Sequence, residues 1–273
     1  MTAQAQLKFQ TILNEIVNWD GIPFPMQEAT QYALVGGKKM RMRLVYAAAE
    51  DLACQHMDID RIAIAVEMAH IYSLCHDDLP CIDNDHVRHG KPSLHAQYGE
   101  AMAVLVGDAL QSMAIEQILA CESHTMELMK EFNKSIGPRG LVRGQLIDTL
   151  NLAESETILE MYKAKTGMLI ASCLILPALL CGQKDLIEPL NKAGHLFGIL
   201  YQIQDDHIEA LVRSEGQKEK RHTATSLLPD SLEHTKQMFT SSIQDTLDDI
   251  DFSACKTLIT QLIESKKYRP HQS

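Results

Sequence analysis

Four carboxylates fall within nine residues in Asp77-Asp78-Leu79-Pro80-Cys81-Ile82-Asp83-Asn84-Asp85, between an apolar segment and a turn. Like charges this close repel. A hard divalent cation relieves that repulsion, because Mg2+ takes carboxylate oxygens and keeps sites open for phosphate oxygens. Taken alone, the stretch reads more simply as a solvated acidic turn. A second acidic set shifts the balance: Asp205-Asp206, with Glu209 one helical turn on, also at the end of an apolar segment. Asp205 and Glu209 share a helix face, which is unfavourable without a cation. Asp77 and Asp83 are six residues apart, roughly 120° out of register on an ideal helix. Pro80 cannot continue a helix. A kink or bulge over 79–82 is therefore expected to bring Asp83 back beside Asp77. Two such faces across a cavity would hold a diphosphate through bridging Mg2+ ions.

Cations stand near both sets. Lys38, Lys39, Arg41 and Arg43 follow Gly36-Gly37, where the glycines permit close approach of backbone to ligand. A helix start with solvated side chains is the plainer alternative. Lys165-Thr166-Gly167 interrupts an apolar helix, where a lysine needs a partner or must snorkel to the surface. Arg88 and His89 lie just past the first acidic cluster. His70 precedes Asp77 by two helical turns and shares its face, although a lone histidine there is more often a satisfied core residue. Glu67 and His70 make the Glu-x-x-His pair of di-iron bundles, but no matching second pair occurs.

The elements that position these groups read as helices. Aromatics are few, while Leu, Ile, Ala and Met are plentiful, a mix that favours helix over strand. Three-and-four apolar spacing predicts a helix over 4–17, and further helical runs are read over 26–34, 42–54, 59–78, 94–120, 122–134, 139–151, 155–181, 185–213, 231–248 and 253–266. Arg88 to Pro92 and 214–223 read as loops, and no period-two strand pattern appears. The 273 residues suffice for one large domain, with an N-terminal helix and connector over 1–25. The fold class expected is all-α, a single-domain helical bundle around a central apolar cavity.

A formal charge of −11 argues against nucleic-acid binding. The seven cysteines form no Cys-x-x-Cys pair and read as reduced thiols of a cytoplasmic protein. The longest apolar run, Met168 to Cys181, is too short to span a membrane and reads as a buried helix. The N-terminus has the build of neither a signal nor a transit peptide.

In this order and spacing the motifs resemble those of the trans-polyprenyl diphosphate synthases, most closely the bacterial farnesyl diphosphate synthases. The resemblance runs from about residue 30 to about 210. It rests on Gly36-Gly37-Lys38-Lys39-Met40-Arg41, on His70 to Pro80, on Asp83 to Pro92, on Gly99-Glu100-Ala101 and Gly107-Asp108-Ala109-Leu110, on Gly144-Gln145 with Asp148, on Lys165-Thr166-Gly167, and on Tyr201 to Asp206. It implies the isoprenoid synthase fold, a single polyprenyl synthase domain over 1–273, and a homodimer. It implies condensation of isopentenyl diphosphate with an allylic diphosphate, dimethylallyl or geranyl, using Mg2+, three ions per site. Asp77, Asp83 and Asp205 resemble the metal ligands, with Asp78, Asp206 and Glu209 in partner positions. Arg88 and Lys165 resemble the cations on the allylic diphosphate. Lys38, Arg41 and His70 resemble the pocket for isopentenyl diphosphate, and Thr166 and Gln202 the groups facing the carbocation. No protein nucleophile is needed. Tyr72 and Ser73, five and four residues before Asp77, would floor the cavity and hold the product to ten or fifteen carbons, with fifteen favoured.

The chain departs from the pattern in three places. His89 stands where a second arginine is usual, so it can grip a diphosphate only when protonated. Glu209 replaces an aspartate, with a longer arm that can still ligate Mg2+. The lysine-bearing loop of 214–223 is shortened, with Arg221-His222-Thr223 and Lys218 or Lys220 as its counterparts. These departures keep a non-catalytic regulatory subunit in view. A class I terpene cyclase would share the cavity and the first acidic motif, but would not need the Gly-Gly-Lys anchor.

Overall fold

The computed structural model describes residues 2–150, 155–213 and 232–266. The fold is all-helical apart from one two-stranded hairpin among the described residues. The chain divides into two compact units, Met1–Tyr46 with Gln55–Met129, and Ala47–Cys54 with Lys130–Ser273.

In the first unit, α1 (Thr2–Ile16) buries Phe9, Ile12 and Leu13, the stripe its spacing predicts. Pro23 and Pro25 open α2 (Phe24–Leu34), where a missing N–H costs nothing. Helix α3 (Met40–Asp51) starts in this unit, and its first turn is held by Glu67, whose carboxylate accepts the Met42 N–H at 3.0 Å. Helix α4 (Asp58–Asp77) is buried on every side from Ile62 to Ala69. It packs on α6 (Glu100–Leu119) so closely that a Cβ at Gly107 would lie 2.0 Å from His76 Nε2. Two expectations are corrected here. The run over 94–120 is broken into α5 (Leu94–Tyr98) and α6, because Gly99 takes a φ of 86°. Residues 88–92 are not a plain loop: β1 (Val87–Arg88) pairs antiparallel with β2 (Lys91–Pro92). His89 and Gly90 turn the hairpin with φ of 55° and 77°, as a tight two-residue turn requires. Helix α7 (Thr125–Ile136) ends in the second unit.

The second unit contains α8 (Leu141–Thr149), α9 (Ser155–Tyr162), α10 (Met168–Leu180), α11 (Ile187–Arg213), α12 (Leu232–Asp248) and α13 (Ser253–Ser265). The helix expected over 155–181 is interrupted by a π-helical turn at Lys163–Gly167. Every residue of α10 is buried, so this long apolar helix is core. Helices α10 and α11 approach where small residues allow it. A Cβ at Gly194 would lie 2.3 Å from Ala171 Cα, and one at Gly198 would lie 2.3 Å from Gly167 Cα. Asp51 caps α13 by accepting the Ala254 and Cys255 N–H groups at 2.7 and 2.9 Å. The shortened loop of 214–223 lies outside the described residues, as do Lys218, Lys220 and Arg221 to Thr223.

Candidate active site

Helix α4 stops at Asp77, and Pro80 enforces the stop. The chain then folds back on itself. Ile82 and Asn84 donate their N–H groups to the Leu79 carbonyl at 2.9 and 3.0 Å, and Asp83 N–H reaches the Asp77 carbonyl at 2.9 Å. The bulge expected from sequence is thus formed, and it brings Asp83 beside Asp77. Asp78 is turned inward and is 2 % exposed. Arg88 Nε donates to its Oδ1 at 3.0 Å, Arg88 Nη2 contacts the same oxygen, and Nη2 also reaches Asp85 Oδ2 at 2.8 Å. Burial pushes the Asp78 carboxyl up, against the pull of Arg88. The hairpin sets Arg88 in this position, and the hairpin is in turn tied down by Tyr32, whose hydroxyl donates to the Pro92 carbonyl at 2.8 Å.

A second group of cations gathers around His70. Burial, and then the nearby Arg41, His89, Lys39 and Arg88, hold the His70 imidazole well below its ordinary range, so it is neutral. Arg41 is 8 % exposed, and its buried Nε has no hydrogen-bond partner among the described residues. Leaving such a donor unmade costs about 1–3 kcal/mol, and an anion placed there would recover it. Lys38 is exposed, whereas Lys39 is buried, with Nζ donating to the Leu34 carbonyl at 2.8 Å and lying 4.0 Å from the Phe9 ring centre. Lys39 therefore anchors the loop. The His89 ring lies on Gly36 and Gly37: a Cβ at Gly37 would sit 3.1 Å from His89 Nε2. Burial, with Arg88, Lys39 and Lys91, holds His89 below its ordinary range.

Glu67 is consumed by the start of α3, which leaves His70 without the carboxylate partner a di-iron site needs. Among the described residues no group of three or more His, Cys, Asp or Glu side chains is placed to hold a metal unaided. Tyr72 and Ser73 are both buried on α4. Tyr72 meets His76 edge-on at 6.1 Å, and burial pushes its hydroxyl up to about 12. Ser73 Oγ donates to the His70 carbonyl at 2.8 Å.

In the second unit the π-helical turn carries Lys165 and Thr166. Such turns recur at functional sites. Lys165 Nζ meets Asp148 Oδ2 at 2.6 Å. Gly144 makes this possible, because a Cβ there would lie 2.2 Å from the Lys165 backbone nitrogen. Next to it, both polar atoms of the Gln145 amide are buried and unpartnered among the described residues. Thr166 Oγ1 donates to Gln202 Oε1 at 3.1 Å, and Gln202 Nε2 donates to Asp206 Oδ1 at 2.9 Å. The Tyr162 hydroxyl donates to Asp206 Oδ2. Burial pushes the Asp206 carboxyl up, against these two donors. Asp205 Oδ2 meets Lys266 Nζ at 2.6 Å, and that ammonium also reaches the Tyr201 carbonyl at 2.7 Å. Glu209 lies in α11, and its side chain is outside the described residues.

Sequence reading missed Tyr162 and Lys266. Tyr162 left one signal, a phenol one turn before Thr166 in an apolar helix. Lys266 left none, because its partners are remote in sequence. Four cysteines are held as thiols: burial pushes Cys75, Cys121 and Cys181 up to about 12 and Cys255 well above its ordinary value.

The family model for polyprenyl synthetase matches residues 25–226. The chain belongs to the polyprenyl synthetase family. A chloroplastic geranylgeranyl pyrophosphate synthase of Capsicum annuum is 40 % identical over 204 residues, covering 71 % of this chain and 55 % of the relative. The chain thus spans little more than half of that plant polyprenyl synthetase. A farnesyl diphosphate synthase of Buchnera aphidicola subsp. Schizaphis graminum (strain Sg) is 35 % identical over 237 residues, covering 81 % of this chain and 79 % of the relative. Among solved structures, a geranyltransferase from Helicobacter pylori complexed with magnesium and isoprenyl diphosphate has a TM-score of 0.79 at 27 % identity, with 96 % of each chain covered. The all-α isoprenoid synthase fold expected from the sequence is the fold found.

Proposed function

We propose that this chain is a short-chain prenyltransferase that joins isopentenyl diphosphate head-to-tail to dimethylallyl or geranyl diphosphate, with farnesyl diphosphate as product. The observation that carries this reading is the unsatisfied, buried Arg41 Nε among the cations around His70. An anion is the partner that such a cluster lacks. In the reaction the allylic carbon–oxygen bond breaks, with its electrons leaving on the diphosphate. The double bond of isopentenyl diphosphate then forms the new carbon–carbon bond, and the departing diphosphate takes the released proton.

The donors suit Mg2+, since Asp77, Asp83 and Asp205 offer hard carboxylate oxygens. Asp205 already carries a cation in the form of the Lys266 ammonium. When bound, Mg2+ draws electron density onto the leaving diphosphate. Asp78 and Asp206 act beside these ligands, Asp78 fixing Arg88 and Asp206 fixing Gln202. Glu209 completes the second motif. Arg88 and Lys165, each oriented by a carboxylate, bind the allylic diphosphate. Lys38, Arg41, His89 and the neutral His70 bind that of isopentenyl diphosphate. Thr166 and Gln202 present oxygens to the developing positive charge.

The partner of this chain in the proposal is a second copy of itself, docked on α6. That helix is largely apolar, yet under half of its most apolar window is buried, with Val104, Leu105 and Leu119 exposed. Glu100, Asp108 and Glu116 on the same exposed surface speak against an anionic membrane as the cover.

The test is incubation with Mg2+, isopentenyl diphosphate and geranyl diphosphate, followed by phosphatase and identification of the alcohol. Farnesol is the expected product. Geranylgeraniol would remove Tyr72 as the limit on length, and no prenyl alcohol would overturn the assignment.

A further inference from the structure

Tyr162 is 1 % exposed, and its hydroxyl reaches the second acidic pair from outside both acidic motifs. Tyr162 and Thr166 stand four residues apart on one side of this contact. Gln202 and Asp206 stand four apart on the other. The hydrogen bonds join them crosswise, Tyr162 to Asp206 and Thr166 to Gln202, and the Gln202-to-Asp206 bond completes the chain. Every donor in it has a fixed direction. An ionised Asp206 can only accept, and in that state the Gln202 amide turns its nitrogen to Asp206 and its oxygen to Thr166. The π-helical turn, Lys163–Gly167, begins directly after Tyr162 and carries Thr166.

Building on the function proposed above, we infer that Tyr162 is a positioning residue. Its hydroxyl pins Asp206, and through Asp206 it fixes the orientation of Gln202 and Thr166 while keeping the second acidic pair set for a metal-bound diphosphate. Tyr162 itself touches neither substrate nor metal.

Tyr162→Phe removes only the hydroxyl, and three readouts follow. The crystal structure of the variant should show the Asp206 carboxylate or the Gln202 amide rotated from its wild-type position. In calorimetry, inorganic diphosphate should bind in the presence of Mg2+ about tenfold more weakly than to wild type. In the condensation assay, kcat should fall and the half-saturating Mg2+ concentration should rise several-fold, with KM for isopentenyl diphosphate unchanged. Unmoved Asp206 and Gln202 with unchanged diphosphate binding would overturn the inference, as would a loss of kcat with no shift in Mg2+ dependence. If wild-type protein makes no prenyl product, the assigned reaction fails alone, and the structural and calorimetric readouts still decide the role of Tyr162. Tyr162→His tests for a fold defect: recovery of diphosphate binding by a second buried donor supports positioning, and equal loss in both variants with a lowered melting temperature refutes it.

Discussion

His89 stands where the resemblance leads us to expect a second arginine. Its imidazole is held low by burial and by Arg88, Lys39 and Lys91, so at neutral pH it carries no charge. A bound diphosphate would raise its pKa, so binding should take up a proton. KM for isopentenyl diphosphate is expected to fall as pH drops toward and below the ordinary imidazole value, where bound diphosphate draws His89 into its charged form. His89→Arg should lower that KM about tenfold at pH 8, the value of one charge-assisted hydrogen bond, and flatten the profile. Steady-state kinetics across pH in both proteins would show it, and parallel profiles would exclude His89 from the pocket. Tyr72 makes a second residue-level claim. It is buried on α4 five residues before Asp77, and Tyr72→Ala is expected to shift the product mixture to chains longer than fifteen carbons, read by chromatography of the dephosphorylated alcohols.

At the scale of elements, two contacts control the second acidic pair. Helix α8 sits on the π-helical turn through Gly144, with Lys165 backbone where a side chain would stand. Backbone cannot rotate away as a side chain can. Gly144→Ala should therefore push the turn aside, costing about 1–3 kcal/mol of stability by overpacking. Its melting temperature should drop by several degrees, with activity falling as Lys165 leaves Asp148. Helix α13 ends just before Lys266, whose ammonium occupies Asp205. Lys266→Met should lower the half-saturating Mg2+ concentration roughly two- to fivefold, as loss of a partly exposed ion pair permits. An unchanged or higher Mg2+ requirement would show that Lys266 supports the site. These contacts also mark where sequence reading stopped. The stripe of α1 was legible because its apolar residues repeat at three and four, and α3 and α4 were legible as continuous apolar runs. The bulge after Asp77 was legible from Pro80 and the carboxylate spacing. The hairpin at Arg88 was not, since two-residue strands have no period to read. Nor was the π-helical turn, because one extra backbone residue per turn barely disturbs an apolar pattern that is buried on every side.

For the whole molecule, family membership and fold follow from motifs spread along most of the chain, while product and assembly rest on single surfaces and residues. Helix α6 bears the claim about assembly. Leu105→Arg puts a charge on its exposed apolar face and should convert a dimer to a monomer in sedimentation or light scattering. A wild-type monomer would remove α6 as a self-association surface.

The His89 ring resting on Gly36 and Gly37 ties the hairpin that carries Arg88 to the loop that carries Lys38 and leads into Arg41. Both glycines take positive φ, which disfavours any larger residue, and at Gly37 an added Cβ would also press on the imidazole at 3.1 Å. The two loops therefore touch with no side chain between them, and on the proposed function Gly37→Ala and His89→Ala are expected to weaken diphosphate binding non-additively.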